Sequence, residues 1–385
     1  MSFTGVVLTY ERQMEQWAAR QDYLPAAEQG TRLPLEQLID LQRLEHPDIP
    51  AQSLTILDHP GAPVDFRAGR QGGVSLNPYT GEQMEVGSPA LERFFSWNTG
   101  FHRWLNVQGE GRAAARQVTG VSNVIFLFLV LSGMYLWLPK ILKWTMFKVR
   151  LLFRGDYPNS KARDFHWHHI FGIWAAIPLV AVVYTGMVIS YPWAANFMYR
   201  VLGAEIPQQG GPGPGAQQGG PGGQQAARPG GQGSAQAGAN LALGSAADIE
   251  VPTVAGLPLD QLLQNALAHS GEGWNRVNLT LPKPGDETVR IEIDRGNGAQ
   301  AHLRHSVVMG RQSGEVVDVV DFASTPKAQQ LRGIARFLHT GEVLGFWGQT
   351  IAGLASLASL FLVWTGFALS WRRLIVPLIN KRKAV

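Results

Sequence analysis

Imidazoles are the side chains most able to do chemistry in this 385-residue chain, and five of its ten histidines stand where apolar segments begin. His102 lies in Phe-His-Arg-Trp-Leu ahead of one apolar run, and His339 in Phe-Leu-His-Thr-Gly-Glu ahead of another. His166, His168 and His169, in His-Trp-His-His, open a run between those two. Imidazoles at the ends of packed helices suit axial ligation of haem iron, which needs one or two such nitrogens, an apolar slot and cationic partners for its propionates. Arg103, Arg336 and Trp104 stand beside the outer histidines as candidate propionate partners and wall. Two rival readings are a polar anchor reaching for lipid headgroups and a zinc site, for which no third or fourth ligand is evident near His102 or His339. Polar groups facing a bundle interior are costly without a role, which favours ligation.

Spacing supports a pairing of His102 with His339. Thirty residues separate His102 from Ser132 and 26 separate His339 from Thr365, where related motifs recur. On continuous helices the two imidazoles then differ in height by about four residues, roughly 6 Å, and face each other across the bundle. His166 and His169, three apart, share one helical face. Their partner is expected on a helix that begins upstream of Met1.

The elements that position these groups are membrane helices. The windows 118–138, 170–195 and 344–371 carry no charged side chain, and each is long enough to cross about 30 Å of hydrocarbon. Four copies of one pattern, Phe3-Thr4-Gly5, Leu131-Ser132-Gly133, Tyr184-Thr185-Gly186 and Trp364-Thr365-Gly366, are each followed by apolar residues. Three close a membrane helix, so the first is expected to close a truncated one spanning 1–16. A hydroxyl beside glycine suits close helix packing in lipid. Lys140, Lys143, Lys148, Arg150, Arg154, Lys161 and Arg163 between the first two spans, and Arg372, Arg373, Lys381, Arg382 and Lys383 in the tail, put both segments in the cytoplasm. These anchors account for the net charge of +4, so nucleic-acid binding is not needed to explain it. Without cysteine the chain has no disulfide, thiolate-held metal or iron–sulfur cluster, and without a Rossmann glycine fingerprint no nicotinamide or flavin site is expected.

Two small helix-plus-strand modules are expected on the other side. In 17–95, Pro34-Leu-Glu-Gln-Leu-Ile-Asp-Leu-Gln reads as an amphipathic helix, Ser53-Leu-Thr-Ile-Leu as a strand, and Gly73 to Glu82 as strand and turn. In 244–330, Pro258 to Leu267 repeats the helix, Val277-Asn-Leu-Thr-Leu and Thr288-Val-Arg-Ile-Glu-Ile give strands, and Val307 to Val317 ends in a similar turn, Gln312-Ser-Gly-Glu. The Gly/Pro/Gln-rich stretch 204–243 lacks the apolar surface to order itself and reads as a linker. The remaining divisions are 96–139 and 331–372, each an approach and a span, 140–165, a basic loop, 166–200, a span, and 373–385, a basic tail.

The His-Arg-Trp motif at 102–104, the Ser-Gly-x-Tyr-Leu-Trp-x-Pro-Lys exit at 132–140, the Asn77-Pro-Tyr-Thr-Gly-Glu turn and the Leu338-His-Thr-Gly element resemble those of the PepSY-associated transmembrane proteins. These are iron-regulated inner-membrane proteins that include bacterial siderophore reductases. The resemblance implies an α-helical membrane bundle of four helices with two α+β PepSY modules in the periplasm. It also implies haem b held by histidines and reduction of a ferric siderophore to release Fe(II). The family's motifs fall on His102, Arg103 and Trp104, on His339 and Gly341, and on the 166–169 cluster; a second, inner haem depends on the missing first helix. The electron donor would be separate, with quinol a candidate. The alternatives are a membrane-anchored module that binds a partner or inhibits a peptidase, and a siderophore permease, for which four helices offer little room.

Overall fold

The computed structural model describes residues 1–25, 28–69, 72–138, 143–206, 256–271, 273–283 and 285–383. The expected linker beyond residue 206, and Pro139 and Lys140 of the exit motif, lie outside them. The chain begins with α1 (Ser2–Val7), a 3-10 turn (Leu8–Tyr10) and α2 (Glu11–Gln21), then enters a helix-and-sheet layer.

In that layer α3 (Leu35–Glu45) precedes β1 (Ser53–Leu57), β2 (Val64–Arg67) and β3 (Gly73–Leu76). Pro34 is extended and cannot continue a helix upstream, and Leu35, Leu38 and Ile39 then recur at helical spacing and are buried. β1 and β2 alternate buried and half-buried residues, the period-2 signature of a strand with one face on a core. The chain then runs through α4 (Pro89–Trp104), α5 (Gly111–Trp137), α6 (Trp144–Leu151), α7 (Ser160–Ser190) and α8 (Pro192–Val201). It returns to the sheet as α9 (Leu259–Ser270), β4 (Arg276–Thr280), β5 (Thr288–Asp294), β6 (Arg304–Gly310) and β7 (Val316–Asp321).

The two modules expected from the sequence share one seven-stranded antiparallel sheet, ordered β3-β2-β1-β4-β5-β6-β7. β1 pairs with β4 from Ser53 opposite Thr280 to Leu57 opposite Arg276, which seals the halves. Leu38, Leu54, Phe66, Leu76, Leu262, Leu279, Ile291 and Met309 form a single apolar core beneath α3 and α9. The two helices cap each other: Leu35 N donates to Asp260 Oδ2 at 2.8 Å, and Leu259 N donates to Glu36 Oε1. Each acidic side chain meets the positive end of the partner helix and satisfies an otherwise orphaned N–H.

Past the sheet, α10 (Lys327–Thr340) leads through a 3-10 turn (Glu342–Leu344) into α11 (Gly345–Ser370), a π-helical turn (Trp371–Ile375) and α12 (Val376–Lys383). Three of the described helical segments, Gly111–Trp137, Ser160–Ser190 and Glu342–Asn380, are long and apolar enough to cross a membrane. Their outward faces leave Val118, Ile125, Phe128, Leu136, Ile177, Leu354, Val363 and Phe367 exposed, an apolar surface that suits lipid. Their inward faces are small: Ala175 and Leu179 of α7 pack on Ala355 and Ala358 of α11, flanked by Phe126, Val130 and Phe171. Both α5 and α7 begin seven to ten residues before their charge-free windows, at Gly111 and Ser160. The windows marked only the apolar middles. α7 ends at Ser190 because Pro192 starts α8 and holds Tyr191 extended. α1 lies against α4 and α11, with Gly5 facing Ser356 and Thr9 of the following turn against Gly353.

Candidate functional site

The helices that carry the two outer histidines both break before the membrane. α4 stops at Trp104, where Leu105 and Asn106 take left-handed conformations with φ of 55° and 57°. Such backbone costs a non-glycine residue about 1–2 kcal/mol and is held here by Asn106 Nδ2 bonding Trp97 O at 3.0 Å. α10 stops at Gly341, φ 78°, packed so tightly on Gly348 that a Cβ would overlap its carbonyl. The continuous helices assumed in the height comparison are therefore absent, yet the two breaks compensate.

His102 and His339 do face each other. Their ring centres are 6.2 Å apart and the planes are tilted by 58°. Thr4 Oγ1 donates its single proton to Met1 O at 2.8 Å, so it accepts from His102 Nδ1–H, also at 2.8 Å. His339 Nδ1–H donates to Val182 O at 2.8 Å, since a carbonyl only accepts. Both rings thus keep an unprotonated Nε2, the nitrogen suited to a metal. Imidazole–metal bonds of about 2 Å, taken in line from both sides with roughly 1 Å more to each ring centre, give a separation of about 6 Å. The pair therefore fits bis-imidazole ligation of a haem iron.

Beside the pair, Trp104 lies between Arg103, with its guanidinium carbon 4.9 Å from the ring centre, and Arg112, at 3.9 Å. Burial, then the guanidinia of Arg116, Arg112 and Arg336, hold Arg103 below the usual arginine range. Trp104 Nε1 is buried without a hydrogen-bond partner among the described residues. A concentration of donors with an orphaned N–H suits carboxylates such as haem propionates. Sequence reasoning named Arg103, Trp104 and Arg336 but missed Arg112 and Arg116, which reach the cluster only because α5 begins at residue 111.

The polar side of the sheet faces this end of the bundle. Arg12 bonds Asn297 O at 3.0 Å and pairs with buried Glu342 at 3.0 Å, linking α2, the β5–β6 loop and the α10–α11 turn. Arg304 pairs with Glu292 and Asp294, both at 3.4 Å. Burial, reinforced by Glu15 and Glu342, lifts the Glu11 carboxyl to about 7 against the pull of Arg12.

At the far end the three histidines separate. His166 Nδ1 bonds the Tyr157 hydroxyl at 2.8 Å, and His169 Nδ1–H donates to Phe165 O of its own helix at 2.9 Å. His168 is bonded across to α11, with Nδ1 2.8 Å from Thr365 Oγ1. Nearby, Asp164 is held by Arg163 at 3.1 Å and by Arg372 at 2.7 Å. The structure therefore brings His102, His339, Arg103, Trp104 and Arg336 to the sheet-side end, and leaves His166, His168 and His169 at the other.

No curated protein matches the chain. The family model described as the PepSY-associated TM region matches residues 1–373, from the short first helix through the last span. The protein belongs to this PepSY-associated transmembrane family.

Proposed function

We propose that the protein is a haem-b-containing oxidoreductase of the bacterial inner membrane that moves electrons to the sheet side and reduces ferric iron in a siderophore, releasing Fe(II). The observation that supports this reading is the His102–His339 pair, two imidazoles from different helices with ring centres 6.2 Å apart and both Nδ1 atoms tied to the protein. Bound haem would supply a reversible one-electron couple.

The residues have distinct tasks. His102 and His339 would hold the iron of one haem, while Arg103, Arg112, Arg116, Arg336 and Trp104 offer its propionates donors. The far-end group of His166, His168 and His169 would supply a ligand for a second haem. Arg276, Asn278, Glu292 and Arg304, on the polar side of the sheet, offer an oxygen-rich chelate a docking surface above the outer site. Hard oxygen donors hold Fe(II) less tightly than Fe(III), so reduction there favours release. The basic residues Lys148, Arg150, Lys161, Arg163, Arg372 and Arg373 gather at the far end, which supports a cytoplasmic side there and a periplasmic side at the sheet. Electrons enter from a separate donor, for which quinol in the bilayer is a candidate.

Absorption spectroscopy of the purified protein tests the reading. A Soret band is expected, reduced in His102→Ala and in His339→Ala, and the dithionite-reduced band should reoxidise on adding a ferric hydroxamate. A protein without a Soret band, or with one indifferent to both substitutions, would return the chain to the role of an anchored binding module. A reduced haem that no ferric chelate reoxidises would remove the reductase activity and leave electron transfer.

A further inference from the structure

We infer that the hydroxyl–glycine pair closing the membrane helices is an imidazole seat, and that the seat at Thr365–Gly366 makes His168, rather than His166 or His169, the iron-facing histidine of the far end. The inference rests on the haem reading for its iron and on geometry for the seat.

Three of the four sequence copies receive a histidine from another helix. His102 sits on Thr4–Gly5, His339 on Thr185–Gly186, and His168 on Thr365–Gly366. In all three the ring approaches the glycine by Cε1, which lies 3.8, 3.0 and 3.5 Å from where a Cβ on Gly5, Gly186 and Gly366 would stand. The fit is tightest at Gly186, where Asn123 also closes to 2.9 Å of that position. A Cβ at Gly186 would press on the imidazole, whereas at Gly5 and Gly366 it would meet the ring in ordinary van der Waals contact.

The hydroxyl accepts from Nδ1–H in two of the seats, and a backbone carbonyl does so in the third. Thr4 and Thr365 donate backward to carbonyls of their own helices, Met1 O at 2.8 Å and Phe361 O at 2.6 Å, and so present a lone pair to Nδ1–H. At the third seat Thr185 donates to Ala181 O at 2.6 Å, and the carbonyl of Val182, one turn before it, accepts His339 Nδ1–H at 2.8 Å. Each seat therefore fixes the proton on Nδ1 and leaves Nε2 as a lone-pair donor, the tautomer a metal requires. An acceptor on Nδ1–H also raises the basicity of the ligand nitrogen. Ser132 in the fourth copy bonds back to Leu129 O, and no other element among the described residues comes within 4 Å of a Cβ at Gly133.

This device separates the three far-end histidines. His169 Nδ1–H is also fixed, by Phe165 O of its own helix, and His166 is bonded to the loop residue Tyr157; His168 differs in resting on a hydroxyl–glycine pair of another membrane helix. His168 also lies eighteen residues before Gly186, five turns of α7, so the two seats that α7 serves share a face about 27 Å apart.

Two measurements on the full chain test the seats and keep their failure distinct from that of the haem reading. In haem-free protein labelled with 15N-histidine, two-bond proton–nitrogen spectra should report the Nδ1–H tautomer for His102, His339 and His168. Thr4→Val and Thr365→Val should each mix the tautomers of the facing ring, while Thr→Ser restores them. Rings protonated on Nε2, or unmoved by both valines, overturn the seat whether or not haem binds. In haem-loaded protein, Thr4→Val should keep the Soret band and raise the midpoint potential by about 59 mV, a tenfold change for one electron. An unchanged potential overturns the tuning. In a haem titration with free imidazole added as the opposing ligand, His168→Ala should abolish the second binding step while His166→Ala and His169→Ala retain it. A titration with only one step in the unsubstituted protein, or loss confined to His169→Ala, overturns the assignment of His168.

Discussion

At the sheet-side end His102 and His339 arrive on helices that break just short of the membrane, whereas at the far end three histidines ride on one unbroken helix. Breaking two helices brings imidazoles from separate elements to one height, and each break is held by contacts that admit little change. An unbroken helix instead places His168 and His169 about 100° apart, so one can face a neighbouring helix while the other faces elsewhere. In this protein the two facing imidazoles are carried by helices that break, and the single cross-bonded imidazole of the far end by a regular helix.

The largest expected effect is at the second break. Gly341→Ala forces a Cβ onto a left-handed backbone and against the Gly348 carbonyl, at a cost of about 3 kcal/mol. It should also draw His339 off Val182, so the Soret band should weaken with the melting temperature; a normal spectrum would mean that the break does not set the histidine's height. At the unbroken end, Asp164→Ala leaves the Arg372 guanidinium, whose side chain is about a third exposed, without its carboxylate. A loss of about 2 kcal/mol follows, below the range for fully buried pairs, and it should leave the His102–His339 spectrum unchanged. Leu105→Gly tests the strain of the first break: relief of the left-handed backbone should stabilise the protein by about 1 kcal/mol in denaturant melts.

The smallest effect separates the polar layer from the bundle. The Glu11 carboxyl rises from an ordinary 4.5 to about 7 in the folded protein. The folded state therefore holds this proton more tightly than the unfolded chain. Its contribution to stability is complete below about pH 4.5 and is lost as pH rises through 7. Glu11→Gln should flatten that part of the pH–stability curve by less than about 1 kcal/mol, because the group is partly exposed and solvent screens it.

Much of this was legible from local pattern. Pro34-Leu-Glu-Gln-Leu announced α3, Ser53 to Leu57 announced β1, and charge-free windows located the spans. What local pattern misses is long-range pairing: nothing near Ser53 says that its strand partner begins at Arg276, so one sheet reads as two modules. β2 is only four residues long, and β7, Val-Val-Asp-Val-Val-Asp, lacks strict alternation, so both escaped notice. The histidine pair was found by counting along helices that turn out to be broken. At the far end, the i, i+3 rule joined His166 with His169, but a shared face does not reveal which face another helix will cover. The hydroxyl–glycine repeat was visible as a packing device; that it receives imidazoles appears only when the helices are set side by side.

The seam between β1 and β4 constrains how the chain is made. Strand β1 leaves the ribosome more than two hundred residues before its partner, and the helices α5 and α7 must be threaded through the bilayer in between. At about 5–20 residues per second, the open edge of β1 waits roughly 10 to 45 s for β4. During that time the first three strands have half a core, an uncapped α3 and an unpaired edge able to join any passing strand. The sheet layer is therefore assembled in two instalments, and its first instalment depends on prompt membrane insertion to avoid being completed by the wrong chain.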